Sequence, residues 1–91
     1  MATKKVKFNK TGIEQLPNNK PVVYKIVSTG GNNNYTGSAQ RGRVRERIKE
    51  HLGEIPGAKV SIEQTGNIKE AREKQARIIQ RSQPKYNEQG K

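Results

Sequence analysis

Several residue types that build common protein sites are missing from this chain of 91 residues. It contains no cysteine, which excludes disulfides and cysteine-based zinc sites. It contains one histidine, His51, which excludes a histidine-rich metal site, and it contains no aspartate. Any carboxylate chemistry is therefore left to the glutamates, which are Glu14, Glu46, Glu50, Glu54, Glu63, Glu70, Glu73 and Glu88.

Hydrophobic residues are also scarce, at 29% of the chain. A chain of this length is expected to form one domain, and its core must be small. No apolar stretch is long enough for a signal peptide or a transmembrane segment, so we expect a cytoplasmic protein.

Positive charge is abundant, with 19 lysines and arginines against 8 acidic residues and a formal net charge of +11. Such a charge favours a polyanionic partner, with nucleic acid ahead of an anionic membrane surface. An interfacial helix would need an apolar face beside its charges, and no such face is visible. We therefore predict a nucleic-acid partner and no membrane partner.

The pattern of apolar residues predicts an α/β (α+β) fold with a small, mostly antiparallel, three-stranded sheet flanked by helices. Residues 1–20 are expected to form a basic N-terminal arm with a short helical turn capped by Thr11, and residues 21–91 to form the domain. Val6 to Phe8 belong either to the arm or to a short edge strand. The strands are predicted from "PVVYKIV" (21–27), "YTGSA" (35–39) and "AKVSIEQT" (58–65).

Two helices complete the predicted domain. In "GRVRERIKEHLG" (42–53) an apolar stripe recurs at helical spacing and a glycine follows as C-cap: Val44, Ile48, Leu52 and Gly53. In "GNIKEAREKQARIIQRSQ" (66–83) Asn67 is the expected N-cap. The inward face of this second helix is predicted to carry Ile68, Ala71, Gln75, Ile78, Ile79 and Ser82.

Four side chains with complementary chemistry are expected near one another. Tyr24 and Tyr35 lie in the two strands of the predicted hairpin and can face each other. Arg47 and His51 are four residues apart on the first long helix and point the same way. A guanidinium can hold a phosphate oxygen, and phenols and imidazole can transfer protons.

Four short motifs together carry a resemblance to a known family. "VVY" (22–24), "YTG" (35–37), the Arg-x-x-x-His helix and the closing "PKYN" (84–87) resemble the GIY-YIG nuclease family, over about residues 21 to 87. The resemblance implies an endonuclease, a hydrolase of phosphodiester bonds in DNA that uses one divalent metal ion, Mg²⁺ or Mn²⁺. It also implies that one small site nicks one strand, with the chain acting as a monomer or a homodimer.

The resemblance also implies roles for individual residues. Tyr24 is expected to activate the nucleophilic water or orient its base, and Tyr35 to bind the scissile phosphate or a metal-bound water. Arg47 is expected to hold the phosphate, His51 to assist proton transfer, and Asn87 to support the site. Further contacts to the nucleic acid are expected at Gly37, Arg41, Arg43, Arg45 and Lys49, with Arg45 a second candidate for the role of Arg47.

The metal ligand departs from the family pattern. The family holds its ion through a glutamate nine residues before the closing proline, and counting back from Pro84 gives Gln75. A neutral amide is a poor ligand for Mg²⁺. Three interpretations stay open: a natural relative with weakened metal binding, an engineered glutamate-to-glutamine variant, or a shifted register in which Glu73 or Glu70 is the ligand.

Two other functions are compatible with the composition. The first is a non-catalytic nucleic-acid-binding module that uses the same basic surface. The second is a small basic RNA-binding protein of ribosomal type. The motifs favour the endonuclease, and they leave open whether the DNA is single-stranded, duplex or branched.

Overall fold

The computed structural model describes residues 3–82 and places four strands in one antiparallel sheet. The elements in chain order are β1 (Thr3–Lys7), α1 (Lys10–Glu14), β2 (Val22–Val27), β3 (Asn33–Ala39), α2 (Val44–Lys49), β4 (Lys59–Gln64) and α3 (Ile68–Ser82). The strand order across the sheet is β1-β4-β2-β3, so β1 and β3 are the two edges. The α+β class and the predicted hairpin are confirmed.

The sheet has four strands rather than the three that the sequence predicts. The additional strand, β1, pairs with β4 in antiparallel register, with Val6 opposite Val60. Val6 is half-buried, and its neighbours in β1 are exposed threonine and lysine side chains. A strand this short, with a single apolar position, has too little alternation to be separated from a basic arm by pattern alone.

The period of two along the strands gives the sheet two different faces. Val22, Tyr24 and Ile26 of β2 belong to one face and pack with Ile13 and Ile48 in the main core, together with α1 and α2. The opposite face carries buried Val23 and Thr36 and is covered by α3, whose Ala71 is fully buried. The edge strand β3 therefore lies between α2 on one face and α3 on the other.

The short helix α1 begins two residues earlier than predicted. The N-cap is Asn9, whose side-chain oxygen accepts a hydrogen bond from the Gly12 backbone N–H at 2.7 Å, so the assignment of Thr11 as N-cap is wrong. Asparagine is among the best N-cap residues, and here it precedes the threonine by two positions.

Helix α2 is shorter than the predicted helix over residues 42–53. Its buried stripe of Val44 and Ile48 is confirmed, but the helix ends at Lys49. Beyond it the His51 N–H bonds to the Ile48 carbonyl and the Leu52 N–H to the Lys49 carbonyl, which is the tighter spacing of a 3₁₀ turn. His51 therefore lies in a turn, where Gly53 adopts a φ of 84°.

Helix α3 follows its prediction closely. Asn67 caps it by accepting a hydrogen bond from the Glu70 backbone N–H at 2.8 Å. Ala71 is buried, and Ile68, Gln75, Ile78 and Ile79 are half-buried along the same side, while Ser82 is exposed. Within residues 3–82, no helix combines the length and the apolar character needed to cross a bilayer.

Candidate active site

Tyr24 and His51 form the centre of the site through one direct hydrogen bond. The Tyr24 hydroxyl oxygen lies 2.8 Å from His51 Nε2, although the two residues are 27 positions apart in the chain. Tyr24 is 2% exposed, and His51 is half-buried. Strand β2 fixes the phenol, and the turn after α2 brings the imidazole over it. The strand and the turn together place a proton donor against a proton acceptor.

Tyr35 completes a cluster of three rings on the same side of the sheet. Its ring centroid lies 4.5 Å from that of His51 and 6.1 Å from that of Tyr24. Tilted rings at these separations make favourable aromatic contacts. The structure therefore brings Tyr24, Tyr35 and His51 together, and Tyr35 is the more accessible of the two phenols.

Gly37 is required by the close approach of the two tyrosines to β3. A Cβ atom at position 37 would lie 2.6 Å from the Tyr24 hydroxyl oxygen and 3.0 Å from a ring carbon of Tyr35. Both distances are too short for any side chain to be accommodated without displacing the phenols. Gly37 thus lies in the site through its contact with the tyrosines.

Burial keeps both members of the hydrogen-bonded pair neutral. Burial raises the pKa of Tyr24 above its usual value of 10.0, and the Tyr35 hydroxyl adds to this effect while Arg47 opposes it. Burial also lowers the pKa of His51 below 6.5, against the opposing charges of Glu50 and Glu54. Near neutral pH either Tyr24 O–H donates to Nε2 or the Nε2–H donates to the hydroxyl oxygen, according to the imidazole tautomer.

A pocket of about 250 Å³ at the β3 edge gathers three arginines from two helices. Arg43 and Arg47 come from the N-cap and body of α2, and Arg72 comes from α3 on the opposite face of the sheet. No carboxylate lines this pocket; its other lining residues are Ser38, Gln40 and Ile68. Ser38, which lines the pocket, follows Gly37, which lies against both tyrosines, so the pocket adjoins the ring cluster.

The sequence predicts Arg43 and Arg47 as phosphate contacts but does not single out Arg72. Arg72 precedes Gln75 by three positions, so both lie on the same side of a helix. The spacing therefore indicated that Arg72 lies on the same side of the helix as Gln75, but not that it belongs to the pocket. Placing it there required knowing that α3 crosses the β3 edge opposite α2, which a helical pattern does not reveal.

Three other predicted cations lie outside this pocket. Arg45 Nε donates to the Leu16 carbonyl at 2.7 Å, and the Lys49 ammonium pairs with Glu14 at 3.3 Å, so both connect α2 to the α1 segment. Because the Arg45 side chain is held by its hydrogen bond to Leu16, Arg47 is the arginine beside the rings. Arg41 lines a neighbouring groove.

Gln75 lies at the same edge, on the side of α3 that faces the sheet. Its Oε1 accepts a hydrogen bond from the Ser38 hydroxyl at 2.7 Å, and Ser38 directly follows Gly37 in β3. Glu73 and Glu70, the alternatives for the metal position, are exposed. The nearest partly buried carboxylate on this face, Glu63, is paired with Lys74.

These donors do not fit a magnesium ion. Mg²⁺ prefers anionic oxygen ligands, and the sheet-facing position of α3 offers a neutral amide already bonded to a hydroxyl. Within residues 3–82, no three histidine, cysteine, aspartate or glutamate side chains gather into a group that could hold a metal ion. Asn87 and the rest of "PKYN" lie outside the described residues.

Comparison with solved structures finds the same architecture in a nuclease domain. The chain is similar to the GIY-YIG N-terminal endonuclease domain of UvrC from Thermotoga maritima bound to its catalytic divalent cation, magnesium. The TM-score is 0.70 and the identity 23%, over 85% of this chain and 92% of that one. A point mutant of the same domain, also bound to its catalytic divalent cation, gives the same TM-score and identity and is covered to 91%. No family model and no curated protein matches the sequence. The chain therefore has the GIY-YIG fold.

Proposed function

We propose that this chain is a phosphodiesterase that acts on DNA and whose metal-dependent step is impaired at Gln75. Its fold is that of GIY-YIG endonuclease domains. The observation that carries the proposal is the juxtaposition at the β3 edge. A neutral phenol–imidazole pair adjoins a carboxylate-free pocket of three arginines. Proton transfer and phosphate binding are the two functions that a phosphodiester hydrolase needs from its side chains.

The arginines supply the phosphate-binding part of this function. Arg43 and Arg47 are each about half exposed and make only loose surface pairs, at 3.6 Å with Glu46 and 4.0 Å with Glu50. Exposed pairs of this kind contribute little free energy, so a phosphate can displace the glutamates at low cost. Arg72 has no ion-pair partner among residues 3–82. A phosphodiester in the pocket would therefore be held from two sides, by α2 and by α3.

Tyr24 and His51 supply the proton-transfer part. A phenol with a raised pKa is not a base by itself, but it can pass its proton to a neutral imidazole as it accepts one from an attacking water. The lowered pKa of His51 keeps the imidazole neutral and ready to accept that proton near neutral pH. Tyr35, whose ring contacts that of His51, would donate a hydrogen bond to a phosphate oxygen.

No step is assigned to a metal ion, because Gln75 does not provide the ligand that Mg²⁺ or Mn²⁺ requires. We expect the unsubstituted chain to bind DNA and to cleave it slowly. The direct test is the Gln75→Glu substitution, assayed for Mg²⁺-dependent cleavage of single-stranded, duplex and branched DNA and of RNA. The Ser38 hydroxyl can donate to a carboxylate as well as to an amide, so the fold should be retained. Cleavage of DNA should rise by about 100-fold or more, because a bound metal lowers the barrier by several kcal/mol.

Two matched variants make this test specific. Gln80→Glu adds the same charge to an exposed position of the same helix and should leave cleavage unchanged. Tyr24→Phe in the Gln75→Glu background should abolish the gained activity while DNA binding persists. If Gln75→Glu and Gln80→Glu behave alike, the metal position is wrong.

The neutral amide of Gln75 also favours a second candidate function, non-catalytic DNA binding. In that case neither the unsubstituted chain nor Gln75→Glu would cleave DNA in Mg²⁺ or Mn²⁺, and both would bind it with a steep dependence on salt.

A further inference from the structure

A second groove continues from the arginine pocket along the surface. This groove, of about 620 Å³, is bounded by the loop before β2, the β3–α2 connection and the start of α3. It shares two of its lining residues, Gln40 and Ile68, with the arginine pocket. The two concavities therefore lie next to each other around the end of β3, and together they are called the channel below.

The groove carries two cations that serve no visible structural purpose. Lys20 and Arg41 line it, and both are exposed. Among the described residues, neither side chain makes a hydrogen bond or an ion pair, in contrast to Lys49 and Arg45. One carboxylate, that of Glu70, approaches the groove near Gly66, and none lines it. The side chains that line the two concavities include five cations and no carboxylate; the cations are Lys20, Arg41, Arg43, Arg47 and Arg72.

The walls of the groove are fixed by hydrogen bonds between distant segments. The Asn18 carbonyl accepts from the Gly42 N–H, and the Asn18 side chain accepts from the Val44 N–H, both at 2.8 Å. The Pro21 carbonyl accepts from the Thr65 N–H at 2.8 Å. Lys20 and Arg41 are thus carried on backbone that is held in place before a ligand arrives, which lowers the ordering cost of binding.

We propose that the Lys20–Arg41 groove is a second phosphate-binding subsite, which holds the DNA strand flanking the phosphodiester in the arginine pocket. This inference rests on the proposed function for the identity of the strand. A backbone with regularly spaced phosphates matches a channel with cations at both ends. The contacts are to phosphate, so they impose direction and length on the bound strand and no base sequence.

The test compares charge-matched double variants in EDTA, so that cleavage plays no part. Lys20→Gln/Arg41→Gln removes the two groove cations, and Lys59→Gln/Arg77→Gln removes two exposed cations that line neither concavity. Fluorescence anisotropy would be measured with labelled single-stranded DNA of about 4 and about 16 nucleotides, a range that spans known single-strand site sizes. The groove variant should weaken binding of the long DNA by about tenfold and reduce its salt slope by about 1.4, because each phosphate contact to a single strand contributes about 0.7.

The short DNA and a third variant separate this proposal from the one it rests on. The short DNA carries too few phosphates to occupy the pocket and the whole groove together, so Arg72→Gln should weaken its binding more than the groove variant does. If the groove variant and its charge-matched control weaken the long DNA equally, the subsite does not exist. If Arg72→Gln has no effect while the groove variant does, the groove binds DNA and the proposed phosphodiester site is wrong. Tighter binding of RNA of the same sequence, lost in the groove variant, would overturn the assignment to DNA.

Discussion

At the scale of single residues, the Tyr24–His51 hydrogen bond links the chemistry of the site to the stability of the fold. The phenol is almost fully buried, and the imidazole that it contacts is held neutral by the same burial. Replacing either residue therefore changes the proposed proton-transfer pair and a buried polar contact at once. A buried hydroxyl left without its partner typically costs about 1–3 kcal/mol.

The lowered pKa of His51 predicts how stability changes with pH. Above pH 6.5, the ordinary value, the imidazole is neutral in both the folded and the unfolded chain and contributes no pH dependence. As the pH falls through 6.5 the unfolded chain binds the proton first, because the folded pKa is lower. The contribution of His51 to the free energy of unfolding is therefore fully present above pH 6.5. It is lost as the pH falls toward the pKa of His51 in the folded chain.

We expect this loss to be visible as a difference between the unsubstituted chain and His51→Gln. Urea unfolding at several values between about pH 8 and about pH 5 should show the unsubstituted chain losing more free energy of unfolding than the variant. The variant shares every glutamate, so carboxylate titration cancels in the comparison. A difference that stays constant, or that grows in favour of the unsubstituted chain on acidification, would contradict the assigned direction of the pKa shift.

The residues of the site differ in how far their positions could be predicted. Tyr24 and Tyr35 meet because a hairpin is a local structure, and the hairpin is marked by β-branched residues on both sides of a Gly- and Asn-rich turn. Helical spacing likewise indicated that Gln75 faces inward. Arg72 could not be assigned to the pocket, because its role depends on the crossing of α2 and α3 at the β3 edge. That crossing is set by packing between segments distant in the chain.

At the scale of elements, the N-terminus of helix α2 is capped by a side chain from a loop that is distant in the sequence. Its N-cap residue, Arg43, makes no side-chain capping bond. The Asn18 side chain supplies the missing acceptor by bonding to the Val44 N–H at 2.8 Å. Sequence patterns for capping look only at neighbouring residues, so this cap was not predictable. The same limit applies to β1, whose pairing with β4 spans most of the chain.

We predict that Asn18→Ala destabilises the protein by about 1 kcal/mol, the usual cost of losing an N-cap side chain. Hydrogen exchange at the Val44 amide should accelerate, since that N–H loses its acceptor. The matched control is Asn19→Ala, whose exposed side chain accepts only from Gln64 at 3.1 Å and should matter by less than about 0.5 kcal/mol. Equal effects of the two substitutions would show that α2 does not depend on the cap from Asn18.

Destabilising the start of α2 should also affect binding, because Arg43 and Arg47 extend from its first turns. The loop that supplies the cap also carries Lys20, so one element holds both ends of the proposed channel in place. Fold and ligand binding are thus connected at the Asn18 loop rather than at the buried core.

At the scale of the whole molecule, the formal charge of +11 is carried by a chain with a small core. Strands β2 and β4 and helix α3 were predictable because their apolar residues recur with clear periods, whereas β1 and the end of α2 were not. The position of the positive charges on the folded surface was not predictable, since lysines and arginines are distributed along nearly every element. Folding concentrates them on a compact surface, and their mutual repulsion opposes the folded state.

We therefore expect salt to stabilise the free protein while it weakens DNA binding. Raising NaCl from about 20 to about 200 mM shortens the Debye length from more than 20 Å to about 7 Å and screens the repulsion. The Tm should rise by about 4 °C, which corresponds to roughly 1 kcal/mol for a domain of this size. Calorimetry without DNA at each salt concentration would measure the Tm.

The control is Lys10→Gln/Lys69→Gln/Arg81→Gln, which removes three exposed cations and should reduce the rise of the Tm with NaCl. A Tm that stays flat or falls with NaCl would show that the folded state tolerates its charge without cost.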